Sequence, residues 1–471
     1  MRSMRSVATG LLFGAAAAPA MAGTVTVNSL GDNGPGNCSS TCTLRDAIAT
    51  ALVGDAIEFN IALPWTIVLN GTPLSINTQL SIVGPGAELL SVSAGNASRV
   101  ANINATVAIS GLTLRDGTVL GPNGSHGAPG GQAGQPGGSA DGGCIFTGSG
   151  GQLTLSQVAL VSCEAVGGAG GNGGDGKTVS RGAGSPGGAG GAGGDARGAI
   201  FAEGALTLVQ SSITGCVSIG GGGGTGGLYG YGGFPGYIHY AAGAGGTGGH
   251  ARGGGIFATG GGTLLVSNST IASCELTGGT GGAGGREDLN DRSTIGPSGA
   301  GGNAEGGSVY VDATVLVSNV EFSTLTGNTL AGGSGGSYPS AGANGSTPGE
   351  GIDSVAPSSV RSSIIASISS NSDCMGSISA QGANFDQNST CSGFSVHGTV
   401  AGTLKPLSVS GDGTWALLPR YGSSVIDAAL DCVKLDSTLA TNDQRDTARP
   451  QGPACDLGAV ETDYVYVGDF E

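Results

Sequence analysis

The sequence predicts an all-β solenoid, a parallel β-helix, with glycine-rich hairpins of polyproline or polyglycine II type bundled on one flank. Three observations lead there. Four stretches of the chain repeat one another, with openings 55, 56 and 53 residues apart. Each holds only strand-length apolar runs, too short to bury a face alone. Finally, 98 of the 471 residues are glycine, about three times the usual share of roughly 7%, gathered in tracts between the repeats. Stacking the units with equivalent positions about 4.8 Å apart gives the short runs a shared interior.

The chain opens with an address. Met1 to Ala22 reads as a secretory leader: Arg2 and Arg5, a mostly apolar stretch from Val7 to Ala18, then the Ala20-Met21-Ala22 cleavage site. Its apolar run falls short of the roughly 20 residues that span a bilayer, and no later segment is long and apolar enough. An exported chain meets oxidising conditions, so the ten cysteines are expected to pair where geometry allows. The local disulfide candidates are Cys38 with Cys42, Cys374 with Cys391, and Cys432 with Cys455. The others are Cys144, Cys163, Cys216 and Cys274, which fill the interior with room for one bridge between neighbouring rungs. No cysteine or histidine spacing fits a metal centre. No metal and no cofactor is expected.

The repeats open at Cys144-Ile145-Phe146, Ala199-Ile200-Phe201, Gly255-Ile256-Phe257 and Ser308-Val309-Tyr310. Each continues into a β-rich run: Leu153-Thr154-Leu155, Leu206-Thr207-Leu208, Leu264-Leu265-Val266 and Val315-Leu316-Val317. An amide follows two residues later, at Gln157, Gln210, Asn268 and Asn319. Next come Leu160, Ile213, Ile271 and Phe322, then Cys163, Cys216, Cys274 and Leu325. The apolar positions become interior columns. The amides become a hydrogen-bonded ladder at a turn, or else ordinary polar turn residues. Upstream rungs are read from Leu80 to Gly117, and a last one from Ser359 to Ser369.

Glycine tracts lie near 120–143, 167–198, 219–255, 278–307 and 331–351. The second has triplet arms, Gly167-Gly168-Ala169 through Asp175 and Gly187-Gly188-Ala189 through Asp195, flanking a loop at Lys177 to Pro186. Flexible linkers need no period. Three residues per turn is the repeat of a polyproline II helix, in which glycine permits close approach. Each tract therefore goes out and back as a hairpin, at a high cost in glycine entropy. Gly190 to Asp195 begins a calcium-binding nonapeptide, but Arg197 stands where a large apolar residue belongs.

Both ends carry signatures. Cys42-Thr43-Leu44-Arg45-Asp46-Ala47 resembles the CSLREA domain, and Thr43 with Asp46 forms a near capping box opening a short helix through Leu52. Such a helix covers a solenoid's open end. Near the other end, Asn442-Asp443-Gln444-Arg445-Asp446, then Arg449-Pro450, then Cys455-Asp456-Leu457-Gly458-Ala459-Val460-Glu461 resemble the choice-of-anchor Q domain. Asp446 stands where that family usually has glycine. The phrase Ile109-Ser110-Gly111-Leu112-Thr113-Leu114 is similar to a rung phrase common in right-handed parallel β-helices. The resemblance implies a right-handed parallel β-helix on an exported, often surface-located bacterial protein, and no particular activity. The organisation so read is a leader (1–22), a capping segment (23–60), the β-helix (61–370), an anchor-Q-like module (371–461) and a tail (462–471). Asp443, Arg445, Arg449 and Asp456 are expected to be salt bridges closing the C-terminal turn.

With 17 basic and 33 acidic residues, the net charge is −16, which excludes a nucleic-acid partner. The leading expectation is a non-enzymatic scaffold or adhesin-like surface protein that presents glycine-rich loops to a glycan or protein. Its contact patch would be the loop carrying Tyr229, Tyr231, Phe234, Tyr237 and Tyr240. The competing class is a polysaccharide lyase or glycoside hydrolase, for which Glu164 and Glu275, two rungs apart at about 10 Å, are the candidate carboxylates. A third class binds ice or mineral through flat threonine or glycine faces.

Overall fold

The computed structural model describes residues 22–34, 36–234, 236, 238–286, 295–338 and 341–462. The leader apart from Ala22, the tail beyond Thr462, and Tyr237 lie outside them. The chain is nearly all β, with long sheets of parallel strands. Three rows of strands run its length. One is Ile145–Thr147, Ile200–Ala202, Ile256–Ala258 and Val309–Val311, in register. The second is Gln152–Ser156, Ala205–Val209, Thr263–Ser267 and Val317–Glu321. The third pairs Ala159–Val166 with Ser212–Thr214, Thr270–Ala272 and Thr324–Thr326. The second row reaches back through Asp55–Phe59 to Thr24–Val27. The first two continue into Cys374–Gln381, so the stacking passes the boundary read at residue 370.

Columns of residues in the left-handed backbone region turn each rung. Gln157, Gln210, Asn268, Phe322 and Ser362 form one corner, with φ from 43° to 54°. Asp116, Ser162, Gly215, Ser273 and Gly327 form a second, and Gly142, Gly198, Gly253, Gly306 and Gly349 a third. Asn268 suits the first corner because its short polar side chain tolerates that conformation better than most. The amides are not the expected ladder: Gln210 Nε2 donates instead to the Asp443 carbonyl at 2.8 Å. Asn319 is not in the corner at all, since it pairs with Leu265 and Ser359. The turn between the first two strands has two residues in the second repeat and five in the fourth, which shifts the fourth rung by three. Leu325 consequently lies beside Ile271, and Asn328 accepts the Cys274 N–H.

The ladder that does form is made of serine, one residue past the corner. Ser211, Ser269, Ser323 and Ser363 each accept, at Oγ, an N–H from the preceding rung at 3.1–3.2 Å. Each hydroxyl then donates to the carbonyl two residues upstream. These serines are fully buried, and the shared hydrogen bonds satisfy them. Inside lie the columns Leu155, Leu208, Val266, Val320 and Leu160, Ile213, Ile271, Leu325. Five disulfides cross-link the chain. Three join Cys38–Cys42, Cys374–Cys391 and Cys432–Cys455. The interior cysteines form two more, not one: Cys144–Cys163 closes a single rung, and Cys216–Cys274 joins neighbours in the column. One end is covered by α1 (Leu44–Thr50), opened by the Thr43–Asp46 capping box. Arg45 pairs with Asp32 at 2.8 Å.

The glycine tracts leave the rungs as ordered arms. Gly121, Gly124 and Gly127 donate to the carbonyls of Val166, Ala169 and Asn172 on the next outgoing arm. Gly188, Gly191 and Gly194 donate across their own hairpin to Gly174, Gly171 and Gly168. In each of the two directions every third residue bonds, and the pattern repeats from tract to tract. A Cβ on Gly224 would lie 2.1 Å from the Gly171 carbonyl oxygen, whereas one on Gly222 meets nothing nearer than the Thr280 hydroxyl at 3.3 Å. Gly224→Ala is therefore expected to lower stability by about 3 kcal/mol in urea unfolding, and Gly222→Ala to leave the midpoint nearly unchanged.

Candidate binding surface

On the inner arms, such as Gly167 to Asp175, two of every three residues are glycines occupied with backbone bonds, so the third position decides what each face of the array offers. On the outgoing arms it carries Asn123, Ala169, Gly222, Thr280 and Ser334 in one row and His126, Asn172, Thr225 and Ala283 in the next. Their polar atoms close the array. The Ala169 N–H donates to Asn123 Oδ1 at 2.9 Å, the Asn172 N–H to His126 Nδ1 at 2.8 Å, and the Thr225 N–H to Asn172 Oδ1 at 3.0 Å. On the returning arms the rows are Ala133, Ala189, Ala244, Pro297 and Pro136, Ala192, Thr247, Ala300, Ala343. All are exposed or half-exposed, none is charged, and none extends beyond a proline ring or a threonine hydroxyl.

At the root of the arms, beside the first strand row, Phe146, Phe201, Phe257 and Tyr310 stack at 5.1–5.3 Å. Arg99, Arg197 and Arg252 lie over those rings. Arg252 bridges Glu305 at 2.6 Å and Asp195 at 3.2 Å. Burial opposes the charge of Asp195, but the His250 N–H, Arg252 and Arg197 outweigh it and hold its pKa below the usual carboxylate value. One rung beyond Tyr310, Asp353 feels Arg252 too weakly to offset its burial. Burial and Glu305 push it up to about 6. This column anchors the arms and is not open to a ligand: Phe201 and Phe257 are 4% and 5% exposed.

The residues singled out from the sequence fall elsewhere. In the aromatic loop, Tyr229 stacks on His239 at 5.9 Å and Tyr231 meets the same ring edge-on at 5.3 Å. Tyr240 is half-buried, and Phe234 is exposed. Glu164 and Glu275 share a column with Val217 between them. Thr118 donates to Glu164 at 3.3 Å, and neither glutamate lines a cleft described below. Ser389, His397 and Asp386 imitate a hydrolytic triad without its geometry. Both Ser389 Oγ and Asp386 Oδ1 meet His397 at Nδ1, 3.4 and 2.5 Å away, whereas a triad uses both ring nitrogens.

The C-terminal motif is a buried lock. Arg449, fully buried, pairs with Glu461 at 2.8 Å, donates to the carbonyls of Asp456 and Gly458, and lies over Phe322. Arg445 pairs with Asp443 at 2.9 Å, and Asp456 accepts from the Asp427 and Thr462 N–H groups. Gln444, also buried, accepts from Thr270 and donates to Thr414 and Trp415, fastening the segment to the third strand row. The returning-arm face and the serine ladder escaped the sequence reading. Their signals, the identity of every third residue in the tracts and a serine one place after each corner, were present in the chain.

Among the described residues no helix is long and apolar enough to cross a membrane, and no cluster of His, Cys, Asp or Glu is arranged to hold a metal ion. No family model matches the chain, and no curated protein matches it. Among solved structures it is similar to the nine polyproline type II helical bundle springtail antifreeze protein from Granisotoma rainieri. The identity there is 25%, over 39% of this chain and 94% of that one, with a TM-score of 0.12.

Two stability predictions follow from the buried charges. Arg449→Met strands Glu461 without its partner and is expected to cost roughly 3–5 kcal/mol in urea unfolding. Asp353 ionises less readily folded, at about 6, than its ordinary 3.8, so its ionisation opposes folding. Its contribution is full below about pH 4 and is lost as pH rises through 6, by roughly 3 kcal/mol. Asp353→Asn should flatten that slope, and identical slopes in both proteins would assign it elsewhere.

Proposed function

We propose that this chain is an exported, non-enzymatic scaffold on a right-handed parallel β-helix. Its arms form a bundle of polyproline II type that holds a flat sheet of short side chains against an extended, regularly repeating surface. The observation that carries the reading is the returning-arm face, Ala133 to Pro297 and Pro136 to Ala343, uncharged and locked in place by backbone bonds. On such arms equivalent residues recur about every 9 Å, and neighbouring arms lie about 5 Å apart. The face is preorganised, so binding costs little further ordering. A cell-surface glycan or protein array suits it, as in an adhesin-like protein, with Phe234 at the arm tips as an accessory contact.

The same face favours a second reading, ice. Thr247 set among alanines and prolines offers a hydroxyl within a regular apolar grid, and an ordered water layer is the simplest repeating surface that demands no charge. Catalysis has less support, because Glu164 and Glu275 flank a valine on an open strand row.

The test uses the secreted chain and variants Ala192→Arg, Thr247→Arg and Phe234→Ala, each checked for unchanged thermal unfolding. Co-sedimentation with insoluble polysaccharides and thermal hysteresis are measured in parallel. The face variants should abolish whichever activity the parent has, by at least about tenfold, while Phe234→Ala keeps most of it. Sugar release that disappears in Glu164→Gln, Glu275→Gln would overturn the scaffold reading and make the protein a hydrolase.

A further inference from the structure

Beyond the arm array, the C-terminal region leans on the corner column at Ser273 and Gly327 and leaves a cleft of about 550 Å³ there. That is within the range of small-molecule sites, about 300–1,000 Å³. One wall is α2 (Val400–Thr403), whose first N–H donates to Gln387 Oε1 at 2.8 Å. Leu404 and Leu417, both buried, form the apolar floor, and Leu407 extends it.

Two cations line the same cleft. Thr403 to Lys405 runs antiparallel to Leu418 to Arg420. The Lys405 N–H donates to the Leu418 carbonyl at 2.7 Å, and the Arg420 N–H to the Thr403 carbonyl at 2.8 Å. Lys405 and Arg420 thus flank the Leu404–Pro419 pair. Arg420 Nε donates to the Leu404 carbonyl at 2.9 Å, which fixes the guanidinium and leaves both Nη groups for a ligand. Neither cation forms an ion pair among the described residues. In a chain of 17 basic and 33 acidic residues, two cations without an ion-pair partner line one apolar cleft. A greasy floor with a cationic rim matches one chemistry, an aliphatic chain ending in an anion.

We propose that this cleft binds an aliphatic carboxylate, its chain along Leu404, Leu407 and Leu417 and its headgroup between Lys405 and Arg420. The site is separate from the arm face and independent of what that face binds.

Calorimetric titration of the full secreted chain with decanoate, below its micelle-forming concentration, tests this, with decanol as the uncharged probe. Saturable binding to one site is expected, weakened at least about tenfold by the double variant Lys405→Gln, Arg420→Gln and by Leu407→Asp. Decanol should bind more weakly by a similar factor. Lys405 and Arg420 are exposed, so their replacement should lower thermal unfolding only by what the lost Arg420–Leu404 hydrogen bond contributes, and Leu407→Asp supplies a second, independent variant. Absence of saturable binding, equal binding of decanol, or binding unaffected by the charge variants would each overturn the proposal.

Discussion

Everything distinctive about this molecule depends on how closely two glycine backbones can approach. At Gly171, Gly191 and Gly246 a methyl group would lie about 2.0 Å from a neighbouring carbonyl oxygen, so no side chain fits. In return, each of these N–H groups finds a carbonyl at 2.8 Å. Glycine loses more conformational freedom on ordering than any other residue, and an isolated tract of this composition would not repay that loss. Here the bonds come as a two-dimensional net, so each arm is held by its hairpin partner and by the arms on adjacent rungs.

The net requires a template, and the strand rows are it. Each outgoing arm continues directly from a strand: Val166 ends one, and its carbonyl accepts the first arm bond, from Gly121. The first four returning arms each feed a two-residue strand that pairs with its counterpart, as Asp141 does with Arg197 and Arg197 with Arg252, and the fifth leads into Ile352–Arg361. The rung spacing is thereby imposed on the arms before any glycine has to find a partner. At the junction the stacked rings of Phe146, Phe201, Phe257 and Tyr310, with their arginines, resist shear between the two halves. The serine ladder does the same at the opposite corner, where Oγ groups tie rung to rung without a side chain large enough to disturb the core.

The architecture was legible where composition and period agree. Triplets of glycine and recurring Ile-Phe openings leave few ways to pack, and the parallel rows and ordered arms follow from them. Register was harder. The fourth repeat contains an extra-long turn, so alignment from its opening placed Asn319 in a column that belongs to Phe322, a bulky residue with φ of 43°. Nothing local marks that position as a corner, because Arg449, more than a hundred residues later, lies over the ring. Cys144 and Cys163 were similarly opaque: one precedes Ile145–Thr147 and the other lies on Ala159–Val166, and only the packing of the first strand row against the third brings them together. The returning-arm face went unread for a related reason. The aromatic loop is conspicuous in a chain poor in aromatics, yet His239 engages two of its tyrosines. The returning face, by contrast, is made of alanine, proline and threonine, which attract no notice singly.

Because bonding recurs every third residue on both arms of a hairpin, the array has a unit of growth. Three residues added to the outgoing arm and three to the returning one lengthen a hairpin by one full turn while every existing bond keeps its partner. Any other increment slides glycines against carbonyls that cannot accommodate the residue brought opposite. Loop length in this chain is thus quantised, unlike that of ordinary surface connections. Variation among descendants of such a molecule would arrive in paired triplets, widening the displayed face one row at a time and leaving the strand rows beneath untouched.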